Sequence, residues 1–136
     1  MNDLTLIAFG FGWMVVAAFI GLYLGARHEG HLGDLNQAAA RGDVISYNRI
    51  FEAYKWRSSI HAHGMLFALS SVAIGIVLPR TGLDAAAARW LVAGLMTATV
   101  VWTFAALRRM RPIMGVADIV FAGSLATVAW NMAVNN

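Results

Sequence analysis

The sequence predicts an all-α protein, a four-helix transmembrane bundle with an interfacial amphipathic helix between its first two spans. Three observations predict it. Apolar residues make up 60% of the chain and charged residues only 12%, where a soluble domain carries roughly 25% charged. Four apolar runs, 4–25, 59–79, 90–107 and 113–133, approach or exceed the ~20 helical residues that cross a bilayer core. Finally, the basic residues collect on two of the three connections rather than spreading over a surface.

The chain of 136 residues has the length of one domain, so residues 1–136 form a single integral membrane unit embedded in lipid. The first run follows "MNDL", an acid without a base, and lacks the positive flank of a cleaved leader, so it is expected to be retained. Arg27, Arg41, Arg49, Lys55 and Arg57 precede the second span, and Arg108, Arg109 and Arg111 join the third to the fourth. Only Arg80 and Arg89 lie at the opposite ends. This bias predicts a bacterial inner-membrane protein with those two connections cytoplasmic and both termini outside. Trp56 and Trp130 fall at span ends, where indoles prefer the interface.

The long connection 26–58 is divided by Gly33 and Gly42, with Asp34 and Asp43 each set to cap a following helix. In "DVISYNRIFEAYKWRS", Val44, Tyr47, Phe51 and Tyr54 recur at helical spacing. They predict the amphipathic helix over 44–57, resting in the interface or running directly into the second span. Pro79 ends that span, and Pro112 occupies a first-turn position where its missing N–H costs nothing.

Composition excludes several chemistries. With no cysteine there is no disulfide, thiolate ligand or Cys-held cluster. The net charge of +3 is no nucleic-acid signal, because the basic groups sit at membrane edges. No phosphate loop, nucleophile elbow or catalytic carboxylate pair occurs. Spans one to three contain no acid, against a four-helix drug–proton antiporter.

The second span carries the most information. At 100° per residue, His61, Gly64, Ala68, Ser71 and Gly75 share one narrow arc. Such a stripe admits a neighbouring helix closely; equally, it offers a flat bed for a porphyrin, with His61 supplying an imidazole to iron. Arg57, one turn earlier, stands where propionates would emerge, whereas His63 points nearly opposite, toward Phe67 and Ser70. In the first span, Ala17, Gly21 and Gly25 form a second small stripe suited to a helix or a ring. His28 and His31 share a face and, with His61, could form a metal site; solvated headgroup histidines are the alternative. Asp118 lies about two turns inside the fourth span, either as a functional group or paired with Arg108, Arg109 or Arg111.

These residues resemble styrene oxide isomerase, a small four-helix membrane family that binds haem b. The likeness runs ungapped from Trp56 past Arg89, through the histidine opening span two, the "VLP" that ends it and "RTGLDAAAARWL". It resumes at "ADIVFAGSLA", containing Asp118 and Ile119, and covers about half the chain. The resemblance implies His61 as axial ligand of haem b, with the other axial position open, and a trimer with haem near subunit contacts. Ferric iron would act as Lewis acid on the epoxide of a small apolar substrate; ring opening and a 1,2-shift would give an aldehyde. The family's pocket carries an asparagine in span two and a tyrosine in span three, at positions held here by Phe67 and Ala106. The loop "RRMRPI" is also shorter. Tyr54, Tyr23, Thr103 and Asp118 are substitute catalytic candidates. A different class of function is an accessory subunit of a larger membrane complex, catalytically silent or transferring electrons through a bis-histidine haem in which His28 or His31 joins His61.

Overall fold

The computed structural model describes residues 3–135. Met1, Asn2 and Asn136, which the sequence counts within the single membrane unit, lie outside the described residues. Five α-helices follow one another: α1 (Asp3–Ala26), α2 (His28–Ala40), α3 (Val44–Val77), α4 (Ala85–Leu107) and α5 (Arg111–Asn135). A short 3-10 turn, Leu78–Arg80, carries Pro79 past the end of α3. α1, α3 with that turn, α4 and α5 are each long and apolar enough to cross a membrane, so the four-helix bundle is as expected.

The connection between the first two spans takes one of the two expected forms and adds an earlier helix start. Segment 44–57 is the N-terminal part of α3, continuous with the second span. At 1.5 Å per residue, α3 is about 50 Å long, well beyond the ~30 Å hydrocarbon layer. The helix expected to follow Asp34 starts earlier: α2 begins at His28 and runs through Gly30 and Gly33, so Asp34 lies inside it rather than capping it. Its low apolar content and two glycines read as a break in the sequence. The helix is supported from outside, by α3, where Tyr54 receives His28 and His31. Asp43 does cap α3, accepting from the Ser46 N–H at 2.9 Å.

Two turns share one design. After α2, the Gly42 N–H donates to the Ala39 carbonyl and the Asp43 N–H to that of Ala38. After α4, Arg109 and Met110 donate in the same pattern to Ala106 and Ala105. Both are Schellman closures with the pivotal residue left-handed; φ is 66° at Gly42 and 57° at Arg109.

α1 and α3 pack closest, antiparallel, through glycines. A Cβ on Gly10 would lie 2.8 Å from the Ala68 carbonyl oxygen, and one on Gly75 would lie 3.1 Å from that of Asp3. α4 and α5 pair on the other flank, and Phe67 of α3 joins the halves by packing on Trp102 and Phe121. Trp102, Leu6, Leu95 and Val92 are fully buried there, while Phe11, Val15, Phe19 and Leu22 expose an apolar exterior suited to lipid. Trp56 ties the basic end together: its Nε1–H donates to the Ala106 carbonyl at 3.0 Å, and the Arg109 and Arg111 guanidiniums lie about 6 Å from its ring.

Candidate functional site

The small stripe of α3 delivers His61 to α1. The His61 Nδ1 lies 2.8 Å from the Ala17 carbonyl oxygen. A carbonyl only accepts, so Nδ1 carries a proton, and in the neutral imidazole the lone pair lies on Nε2. Nε2 makes no hydrogen bond among the described residues and is not sealed in the interior. Gly21 creates the space for this ring: a Cβ there would lie 2.6 Å from Cε1. A histidine whose one nitrogen is fixed by a backbone carbonyl, with the other free, has the arrangement typical of metal-ligating imidazoles.

The rest of the stripe serves helix packing. A Cβ on Gly64 would meet Ala17 at 3.4 Å, and Ala68 lies under Gly10. Gly64 and Ala68 were expected to floor a porphyrin bed; α1 occupies that bed, so no macrocycle lies on them while α1 holds its place. Of the first-span stripe, Ala17 and Gly21 meet α3, whereas Gly25 has open space around it.

His63 faces elsewhere, as the helical angles indicate. Its Nδ1 donates to the Ser59 carbonyl at 2.9 Å. Its ring stacks on Trp102, centroids 4.5 Å apart and planes at 15°, and meets Phe67 edge-on. Arg57 lines an open apolar cavity of about 400 Å³ with Phe19, Ile20, Tyr23, Leu24, Ile60 and Leu107, and no carboxylate pairs with it among the described residues.

His28 and His31 are not brought to His61. The His28 Nδ1 lies 3.0 Å from the Tyr54 hydroxyl, and the His31 ring packs 4.8 Å from the Tyr54 ring. Tyr54 precedes His61 by seven residues of the same helix, about 10 Å along the axis. Among the described residues no group of three or more His, Cys, Asp or Glu is placed to hold a metal ion.

The remaining candidates are dispersed. Thr103 buries a hydroxyl without a partner. Asp118 is exposed on α5, and of its two alternatives the pairing with an arginine is not formed: the one ion pair among the described residues is Lys55–Glu52. Arg108 lies over Phe104 instead, and Arg109 and Arg111 turn to Trp56. Phe67 and Ala106 are both buried, so neither position opens onto a pocket. The sequence reading missed Trp102, only 1% exposed with its Nε1–H unpartnered. Its signal was an indole set about 7 Å inside the basic end of an apolar span rather than at the interface that indoles prefer.

The His61 imidazole and the unpaired Arg57 guanidinium one turn away are a nitrogen donor and a positive charge of the kinds that a haem takes; Gly64 and Ala68 are covered by α1, and the cavity beside Arg57 is not lined by His61. No family model, no curated protein and no solved structure matches the chain.

Proposed function

We propose that this chain is a haem b-binding membrane protein of the styrene oxide isomerase-like class, with the Nε2 of His61 as iron ligand. The observation that carries the reading is the His61 tautomer: the Ala17 carbonyl holds the proton on Nδ1 and leaves Nε2 free. Arg57 supplies positive charge for propionates at the same end. Haem with one protein ligand would supply a Lewis-acidic iron, the chemistry that epoxide-to-aldehyde isomerisation needs. This chain's own part is to present and orient the imidazole and to offer an apolar cavity beside Arg57, lined by Phe19, Ile20 and Leu107.

A second reading, a non-catalytic accessory subunit of a larger membrane complex, draws support from Phe67 and Ala106. Both are buried in packed core at the positions where the resembling family places polar pocket residues, and neither could hold an epoxide oxygen. In both readings the protein resides in a bacterial cytoplasmic membrane with the two arginine-rich connections inside and the termini outside, on the basis of eight basic residues against two. A homotrimer follows from the resemblance. An absorption spectrum of protein purified in mild detergent with haem supplied tests the assignment. A Soret band is expected, and a colourless protein overturns it.

A further inference from the structure

α5 is covered on one side only. It buries Ala117, Phe121 and Val128, with Phe121 on Phe67 of α3 and Val120 beside Gly94 of α4, and the opposite side is open. At 100° per residue, Gly115, Ala122, Ala126, Ala129 and Ala133 fall on that open side within about 60°, and Asp118 lies at its edge. All six are exposed, and a Cβ on Gly115 would meet nothing within 4 Å. The α1–α3 contact shows what this chain does with such stripes: it seats a helix on them at backbone distance. On α5 no helix of this chain takes that place.

The carboxylate identifies the occupant. Asp118 is about 10 Å inside Arg111 along the helix, at a depth where an unpaired charge is costly. It makes no ion pair among the described residues. Its level follows from the Phe67–Phe121 contact at 4.4 Å. Asp118 precedes Phe121 by three residues and Gly64 precedes Phe67 by three, on helices that enter the membrane from the same end, so Asp118 is level with Gly64. The nearest arginine of α3, Arg57, lies about 10 Å nearer the basic end, and every other Lys or Arg also sits at or beyond a span end. A second copy of the chain therefore brings no lysine or arginine to this level. His61, within about one turn, is turned onto α1 of its own chain, its ring against Gly21.

We infer that the open face of α5 docks a transmembrane helix of a different protein, one that carries a lysine or arginine at the level of Asp118 and lies flat on the small-residue stripe. The ion pair neutralises both charges within the apolar layer, and the stripe lets the backbones approach. The surface lies on α5, away from His61, so it stands whether or not His61 binds haem. It deepens the accessory-subunit reading by stating which face docks and which charge it seeks.

The test uses the full chain, fluorescently labelled and reconstituted in vesicles with a synthetic poly-leucine transmembrane peptide. One peptide carries a single lysine at the matching depth and the other carries leucine there. Energy transfer is expected to report roughly tenfold tighter association of the lysine peptide. Asp118→Asn should abolish that preference, Ala126→Leu should weaken association, and His61→Ala should leave both unchanged. Equal association of the two peptides, or a preference that survives Asp118→Asn, overturns the inference. Self-association of differently labelled copies that is lost in Asp118→Asn also overturns it, by making a second copy the occupant. The haem spectrum, recorded on the same samples, reports separately on the His61 assignment.

Discussion

The Nδ1–H of His61 donates to the backbone carbonyl of Ala17, 2.8 Å away and 44 residues earlier in the chain. This contact joins the antiparallel helices α1 and α3 near their basic end and fixes which imidazole nitrogen is left to bind anything else. It forms because Gly21 has no side chain to fill the place of the ring.

Gly21→Ala is therefore expected to act on the site before it acts on the fold. The added methyl would lie 2.6 Å from the His61 Cε1, and a ring can rotate away where a backbone cannot. The expected outcome is a shifted or weakened haem spectrum with a largely retained melting temperature. Gly25→Ala, with open space around it, should leave the spectrum unchanged.

Gly10→Ala should act on stability. Its Cβ would meet the Ala68 carbonyl oxygen at 2.8 Å and the Val72 nitrogen at 3.0 Å. Both are backbone atoms of α3, so α1 has to move. A loss of about 1–3 kcal/mol is expected, read as a lower melting temperature in detergent. Gly123→Ala, where nothing stands within 4 Å, should be neutral or slightly stabilising.

Arg109 occupies a left-handed position, φ 57°, that suits glycine. Arg109→Gly relieves about 1 kcal/mol of backbone strain but removes one of two guanidiniums beside Trp56, a contact that Arg111 retains. A small net stabilisation of the α4–α5 turn is expected, measurable by hydrogen exchange at Met110.

Asp84 and Asp43 give the fold an acid-sensitive component. Asp84 is held below its ordinary pKa by hydrogen bonds from the Ala87 and Ala86 N–H groups, and Asp43 by those from Ser46. A carboxyl depressed in the folded state contributes stability above its unfolded pKa and loses it as pH falls through its folded pKa. Thermal stability should therefore fall on acidification below about pH 4. Asp84→Asn keeps an N-cap acceptor that does not titrate, so its melting curve should depend less on pH over that window. An unchanged acid dependence would show that the cap contributes nothing to it.

How much the sequence disclosed depended on what kind of interaction decided each feature. Spans were legible because hydropathy and length decide them, and the Asp43 cap because a short acid before an apolar helix has one common use. Gly42 announced its turn by residue type; the identical turn at Arg109 did not, because tertiary contacts hold a residue with no preference for it. The first turns of α2, ahead of Asp34, were illegible for a similar reason, since His28 and His31 are secured by Tyr54 from another element. At the site, angular spacing separated His61 from His63. Whether the stripe below His61 faced a ring or a helix could not be read from spacing, since both need small residues. The absence of a partner for Asp118 was likewise invisible, because Arg108, Arg109 and Arg111 are near in sequence but turned toward aromatic rings.

The central claim is that His61, and not His63, presents a free Nε2 to haem b. The most direct measurement is the absorption spectrum of the purified protein, oxidised and reduced, beside those of His61→Ala and His63→Ala, with haem supplied to all three. A Soret band in the native protein and in His63→Ala, absent from His61→Ala, is the expected result. A colourless native protein, or a band that persists in His61→Ala, would contradict it.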